Sequence, residues 1–595
     1  MTIHKARMVG RFLLHYTEMV IAMMLGMLLL GLLWSAVLPE ITRTDVDTLV
    51  MAANMTIGMA AWMRMRRHGW RSIGEMSVAM ILPFLVLLVP YWFGVLPGHL
   101  VMSVGHPLMF VTMALAILWR RAEYTQHRHH IRPKWVWRAA VVLIALLVPA
   151  AVSAVNTIGK FGARYEARSD TVSVEPAPKA ADHDPAKPTV AFLVGSKGSN
   201  AADLLGPYET LAGTGALNTY VVSAGARLVP LTGGLDLVPD LTFDGLAALL
   251  AERHDRLDAV VIPALQEPDA AERDAITTWL RQQSGAGALT VSVCNGARTL
   301  AESGLLDGRP ATSHWTRLSG LRNDFRNINW VSGRRYVDDG NVITTAGVLS
   351  GIDGALRILE RLAGTNTARA AADNVHWRHY SPGTAARIPE SSWAIPDVVV
   401  ALNASYQPGP STIGVQLTGG TGELELASAF MSYTEQSLIG RTVAVGDGPI
   451  RSRHGLTFVP RSTVANAGNL DRLLVPGLDA ARQHSATSAG PRPEYLHTTE
   501  EFAFDPVLRD IARTYDVQTA RFAAKTLEYP VHDVDLTGRS WPWLATLIPI
   551  LLALLGATAA IAAGIVFRRI RTTRTLRRPE PLSAPIRTAE LSLTR

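Results

Sequence analysis

Six apolar stretches, each long or nearly long enough to cross a bilayer, set the first constraint on this chain. They run over about 12–38, 46–63, 76–96, 100–119 and 136–158, with a sixth at 541–567. A hydrocarbon core is spanned by about 20 apolar residues in a helix. The stretch 46–63 is short, but the arginines at its end can reach the headgroups. The first stretch is not read as a cleavable leader, because its apolar run is too long, it carries His15 and Glu18, and more stretches follow. Charged residues make up 18% of the 595 against 48% hydrophobic, which excludes a wholly soluble, disordered or collagenous chain. The one cysteine, Cys294, excludes intrachain disulfides and cysteine-cluster metal sites.

Positive charge orients these stretches. Lys5, Arg7 and Arg11 precede the first. Arg64, Arg66, Arg67 and Arg71 separate the second from the third. Arg120, Arg121, Arg128, Arg132, Lys134 and Arg138 separate the fourth from the fifth, and the C-terminal tail opens with Arg568 and Arg569. With six spans these clusters share one side. Both termini are then cytoplasmic in a multi-pass cell-membrane protein, and residues 159–540 are extracytoplasmic. The net charge of +7 belongs to these ends and gives no reason to expect nucleic-acid binding by the middle. The expected order is a five-span membrane region at 1–158, a Pro/Ala-rich linker at 159–187, a soluble middle, a sixth helix at 541–567 and a basic tail at 568–595.

From Thr189 the pattern changes. TVAFLV (189–194), NTYVVSA (218–224), LDAVVIPA (257–264), ALTVSVC (288–294) and NVITTAG (341–347) read as short buried strands. DGLAALLAERHD and AAERDAITTWLRQQ have helical apolar spacing. Such alternation predicts a mostly parallel sheet covered on both faces, with ligands at the carboxyl ends of the strands. Cys294 ends one of these strands and is followed by Asn295, Gly296 and Ala297 before a helix. Small neighbours allow a sharp strand-to-helix turn, and a helix N-terminus favours a thiolate. The alternative is a buried, inert cysteine.

SVCNGARTLAESGLLDGRPATSHW (292–315) resembles the nucleophile-elbow segment of the ThiJ/PfpI family, in the branch of isocyanide hydratases and the amidase-like domains of AraC-type regulators. DGNVITTAGVLSGIDGALRILERLAG (339–364) resembles its closing strand and helix, and ADLLGPYETL (202–211) its first-loop motif. The resemblance covers residues 188–366. It implies a flavodoxin-like α/β sandwich of the class I glutamine-amidotransferase type. It also implies Cys294 as nucleophile and Asp203 as its hydrogen-bonded acid, in a pocket including Asn295, Gly296, Gly206, Pro207, Ala264 and His314. Backbone N–H groups near Asn295 and after the third strand would bind an oxyanion. Two departures stand out: Pro263-Ala264-Leu265 replaces the usual Pro-Gly-Gly, and Asn295 rather than histidine follows the cysteine, which argues against a Cys-His peptidase. His314 is read first as a structural hydrogen bonder. The pairing model expects the Asp203 carboxyl pKa to be raised, with the Cys294 thiol below its ordinary value of about 8.5.

After a connection at 367–394, residues 395–535 read as a degenerate, truncated second copy. HGLTFVPRSTV (454–464) matches GGLDLVPDLTF (233–243), and DRLLVPG (471–477) matches DAVVIPA (258–264). ELELASAFMSY (423–433) matches AADLLGPYETL (201–211), which places Glu425 at the position of Asp203. No cysteine follows, and the nucleophile strand is expected to be missing. In the membrane region, sixteen of the 17 methionines lie at or before Met113, and Met51, Met55, Met59 and Met63 recur every four residues. No metal site or cofactor is assigned; His15, Glu18 and His106 are the candidate ligands if one exists. The fold expected is thus a helical membrane bundle of about six spans, plus a flavodoxin-like α/β domain with an incomplete second α/β repeat.

The function expected is a membrane-anchored, cysteine-centred pocket acting on a small molecule by hydratase or amidase-like chemistry. The alternatives are a non-catalytic ligand or oxidant sensor signalling through the bundle, and a metal- or haem-binding membrane protein. The partners expected are a small-molecule ligand, the lipid bilayer and a second copy through the α/β domain, with no nucleic acid.

Overall fold

The computed structural model describes residues 18–27, 30, 44–66, 69–92 and 182–530, apart from 407–410 and 487–489. It also describes parts of 105–113, 165–168 and 532–562. The chain divides into two compact units.

The first unit is helical. Its described helices include α1 (Glu18–Met27), α2 (Thr44–Met65) and α3 (Trp70–Trp92), and described residues within 105–113 are also helical. Among the described residues one helix, Trp70–Leu88, is long and apolar enough to cross a membrane. Its 19 residues span about 28 Å at 1.5 Å per residue. The 22-residue α2 is long enough but carries Asp45, Asp47 and Asn54. The six-span bundle is therefore not supported by the described helices. The stretch 136–158 lies outside the described residues, and 12–38, 100–119 and 541–567 are described only in part.

The second unit is built on β1 (Thr189–Val194), β2 (Asn218–Ser223), β3 (Val229–Leu231), β4 (Leu235–Val238), β5 (Leu241–Thr242) and β6 (Ala259–Ile262). These are followed by β7 (Leu289–Ser292), β8 (Pro310–Ala311), β9 (Asn329–Trp330), β10 (Tyr336–Asp339) and β11 (Val342–Thr345). Seven of them form one sheet in the order β10-β11-β7-β6-β1-β2-β5. All its pairings are parallel except β10 with β11. Along β1, Val190, Phe192 and Val194 enter one apolar cluster, while Ala191 and Leu193 enter another. Successive side chains point to opposite faces, so both faces are covered, and this is why the strand reads as an unbroken apolar run.

Further along are β12 (Ser411–Gln416), β13 (Gly440–Val445), β14 (Ile450–Arg451), β15 (Thr457–Val459), β16 (Arg472–Val475) and β17 (Pro493–Tyr495). A second sheet runs β13-β12-β16-β17, all parallel. This is the order β2-β1-β6-β7 of the first sheet. The expected absence of a strand in the nucleophile position is thus corrected, since β17 lies beside β16 as β7 lies beside β6. It is three residues long, and Pro493 and Glu494 hide it from a search for apolar strands.

A third, antiparallel sheet, β14-β15-β4-β3, joins the two halves. In it Phe458 faces Leu237, and these are the residues that the internal alignment equates. A residue paired with its own equivalent marks a local two-fold relation. Helix α4 (Ala201–Ala212) packs on its counterpart α5 (Glu423–Met431). A side chain on Gly206 would meet Leu424 at 3.5 Å and Ile352 at 3.6 Å.

Candidate functional site

The strand β7 ends at Ser292, and two residues later the backbone turns at Cys294 with φ of +56°. An L-residue seldom adopts this left-handed conformation, and when it does the surroundings hold it there. Here Val293 N–H donates to Ile262 O (2.8 Å) and Cys294 N–H to Ala346 O (3.1 Å). The Ser313 hydroxyl donates to Cys294 O at 2.7 Å. A Cβ on Gly296 would lie 2.1 Å from Ile262 O. Only glycine lets the helix Gly296–Glu302 start this close to β6. The thiol is nearly buried, with 8% of the residue exposed.

Asp203 reaches the same place from the first turn of α4. Asn200 caps that helix, its side-chain oxygen accepting from Ala202 N–H (3.1 Å) and Asp203 N–H (3.0 Å). The Asp203 carboxyl is fully buried. Its Oδ2 accepts from Ala264 N–H at 3.1 Å, and its Oδ1 has no hydrogen-bond partner. No hydrogen bond of ordinary geometry joins Asp203 Oδ1 to Cys294, yet the thiol is close enough to act on the carboxyl as a hydrogen-bond donor, and each group shifts the other's proton affinity.

A family model described as the DJ-1/PfpI family matches residues 188–361. An isonitrile hydratase from Pseudomonas putida is 32% identical over 171 residues, covering 28% of this chain and 69% of that protein. The chain belongs to the DJ-1/PfpI family. The HTH-type transcriptional regulator GlxA of Rhizobium meliloti is 28% identical over 175 residues, covering 29% of this chain and 52% of the regulator. Among solved structures, a ThiJ/PfpI family protein from Pseudomonas syringae covers 36% of this chain and 85% of its own. Its identity is 26% and its TM-score 0.28.

Within the DJ-1/PfpI domain the electrostatics of the pair are in part unlike those expected. Burial raises the Asp203 carboxyl well above its ordinary range; the Ala264 N–H opposes this, the Glu435 charge adds to it, and the Cys294 thiol opposes it. Burial also raises the Cys294 thiol, and the Asp203 charge raises it further. Arg317 and the Asn295 N–H pull it down, and Glu528 pushes it up. The thiol therefore moves opposite to the expected direction. The following helix has only seven residues, too few for a strong N-terminal field, and the site is drier than a surface turn. The pair cannot readily carry two negative charges.

The remaining residues of the expected pocket separate into groups. Asn295 and Ala264 border the cysteine and its acid, half-buried. The Ala264 N–H is already taken by Asp203, so it is not free to bind an oxyanion. Gly206 faces the packing of α4 on α5 instead of a pocket. A side chain on Gly351 would meet both Val293 (2.8 Å) and Pro207 (3.1 Å), so Pro207 packs behind the elbow. His314 is tied through Nδ1 to the Thr316 hydroxyl (2.6 Å) and through Nε2 to Thr526 O (2.9 Å), a structural bridge. In the first unit, Glu18 is ion-paired with Arg66, His106 stands edge-on to Phe84, and His15 lies outside the described residues.

Three residues of the second half escape a reading of the sequence. Glu528, with φ of +52°, accepts from Trp315 N–H (3.3 Å) and Gly347 N–H (2.5 Å) beside the thiol. Glu435 lies near Asp203 and accepts from the Asn200 side chain at 3.5 Å. His497 occupies the register position of the cysteine: Val475 pairs with Tyr495 as Ile262 pairs with Ser292, and His497 and Cys294 each lie two residues on. Burial holds its imidazole below its ordinary pKa, against the pull of Glu425 and the Ala503 carbonyl. Neutral, it accepts at Nδ1 from Gly477 N–H (3.1 Å) and donates from Nε2 to Ala503 O (3.0 Å). Glu425, the counterpart of Asp203, accepts from Leu478 N–H at 2.8 Å.

Among the described residues one group outside the cysteine site has metal-ligand geometry: Glu209, Glu423 and His454 place donor atoms within 4.8 Å of one another. The groups there are already bonded to one another. Arg453 bonds Glu209 (3.2 Å) and Glu425 (2.9 Å), and His454 bonds Glu423 (2.7 Å). This is an ion cluster between α4 and α5, not an open cation site.

Proposed function

We propose that the chain is a membrane-anchored DJ-1/PfpI protein whose cysteine pocket adds water to an electrophilic carbon of a small molecule, in the manner of a hydratase. The observation that carries this reading is the buried, unpartnered Oδ1 of Asp203 beside a thiol held in a left-handed elbow. An orphaned buried carboxyl oxygen is costly unless it is protonated or meets a ligand. For an isonitrile, the compound named for the relative from Pseudomonas putida, Cys294 Sγ forms a bond to the terminal carbon. Asp203 gives a proton to the substrate and takes the thiol's proton. Water then adds to the same carbon, the sulfur leaves with a returned proton, and the product is the N-substituted formamide. One water is consumed and nothing is oxidised.

The second reading is a ligand sensor. It is favoured by the raised thiol, the occupied Ala264 N–H and the Glu528 carboxylate beside the thiol. The second half fits a degenerate family copy that closes the first. Because β4 is already paired with β15, a homodimer would use another face. Incubating the full chain with an alkyl isonitrile separates the readings. Formamide that disappears in Cys294→Ala and falls at least about 100-fold in Asp203→Asn supports the hydratase. Saturable thermal stabilisation by the isonitrile without product supports the sensor.

A further inference from the structure

The methionines of the first unit form an ordered core. The packed interior holds Met at i and i+4 on each of four helical segments. Their levels follow from the contacts between helices. Helices α2 and α3 are joined by a connection at 66–69, so residues equidistant from it face each other: Met59 opposite Met76, and Met55 opposite Met80. Glu18 pairs with Arg66, and a Cβ on Gly26 would lie 2.7 Å from Gly58 Cα, so α1 runs antiparallel to α2. This sets Met23 near Met59 and Met27 near Met55. The Thr112 hydroxyl donates to Ala79 O at 2.6 Å, and Gly105 abuts Phe84, which sets Met113 near Met76 and Met109 near Met80.

The result is two layers, Met23/Met59/Met76/Met113 and Met27/Met55/Met80/Met109. They are about 6 Å apart, four residues at 1.5 Å each. Seven of the eight members, all but the half-buried Met27, are at most 1% exposed. On α3 the outward positions are Val78, Leu82, Leu85 and Val86, so aliphatic carbon faces out where thioether faces in. Packing between helices in lipid does not require this division, because leucine fills a helix interface as well as methionine does. Sulfur is the difference. A thioether is a soft donor that keeps its affinity for soft cations at any pH. Glu18 and His106 lie at opposite ends of the column, about 22 Å apart at 1.5 Å per residue, and belong to neither layer.

We propose that these two layers form a binding column for a soft monovalent cation of the Cu(I) type. The cation would be held by neutral sulfurs and passed between layers without redox change.

The test uses the full chain in detergent micelles with Cys294→Ala throughout, so that the thiol cannot bind metal. Ag(I), which is redox-inert, is titrated alone, and Cu(I) is titrated against bicinchoninate. The parent should retain about one Ag(I) per chain through gel filtration, and X-ray absorption should show sulfur neighbours. M59L/M76L and M55L/M80L should each weaken binding about 10-fold or more, with the helical circular dichroism unchanged because the exchange conserves volume. If a double variant loses helicity, the single changes M59L and M80L give the same reading. The proposal fails if the parent does not retain Ag(I), or if the leucine variants bind as tightly as the parent.

Discussion

Glu209→Gln should change how the contact between α4 and α5 responds to pH. Burial raises the Glu209 carboxyl from 4.5 to about 7, and the Glu423 charge adds to this. The Leu424 N–H, His454 and Arg453 oppose it. A rise of that size corresponds to about 3 kcal/mol between neutral and ionised forms. The folded state binds this proton more tightly than the unfolded chain. Its stabilising contribution is therefore complete below pH 4.5 and is lost as pH rises through about 7. His454 acts in the same sense: burial lowers its pKa, but the bond and charge of Glu423 outweigh this and raise it, so its contribution also fades at higher pH. Glutamine keeps an acceptor for Leu424 N–H and has no charge to bury. It turns an amide toward Arg453, a cost of about 1 kcal/mol. The variant should then be about 1 kcal/mol less stable than the parent near pH 4 and about 2 kcal/mol more stable near pH 8. Native-state hydrogen exchange of the peptide covering residues 423–431, corrected for intrinsic rates, reads this locally in a chain of two units. Equal slopes of protection against pH in parent and variant would refute the reasoning.

Three further outcomes are expected. Gly296→Ala drives a Cβ to 2.1 Å from Ile262 O, so the elbow must move by about 1 Å and any turnover at Cys294 should fall about 100-fold; unchanged turnover would show that the elbow tolerates the shift. Alkylation of Cys294 by iodoacetamide should titrate above the ordinary thiol value, and Asp203→Asn should move the midpoint to lower pH by removing the repelling charge; an alkaline shift would mean that Asp203 chiefly stabilises the thiolate. Reporter fusions after Arg138 and Thr575 should read cytoplasmic and one after Ala181 extracytoplasmic, and a cytoplasmic reading at 181 would overturn the six-span arrangement.

Much of the DJ-1/PfpI domain is legible in the sequence because its signals are local. VAFLV (190–194) is apolar throughout since both faces of β1 are buried, and Cys294-Asn295-Gly296 marks a turn because small residues there permit it. The pairing of Asp203 with Cys294 comes through a resemblance, and the structure brings the two groups together, with the thiol acting on the carboxyl as a weak hydrogen-bond donor. The direction of the thiol shift is not legible, because it depends on how dry the turn is and how short its helix is, and neither is a local property. The membrane reading rests on composition, and among the described residues only Trp70–Leu88 meets it.

What the sequence alone determined is therefore the set of strands, the turn at Cys294 and the presence of a second set of matching segments. The tertiary structure decided which groups meet. Glu528 is 234 positions from Cys294, and His497 reaches the cysteine's register through a three-residue strand with no apolar pattern. The pairing of Phe458 with Leu237 makes one half the partner of the other. Periodicity records which face of an element is buried, because burial acts residue by residue. It does not record which distant element does the burying, and both the charge beside the thiol and the contact between the halves depend on that.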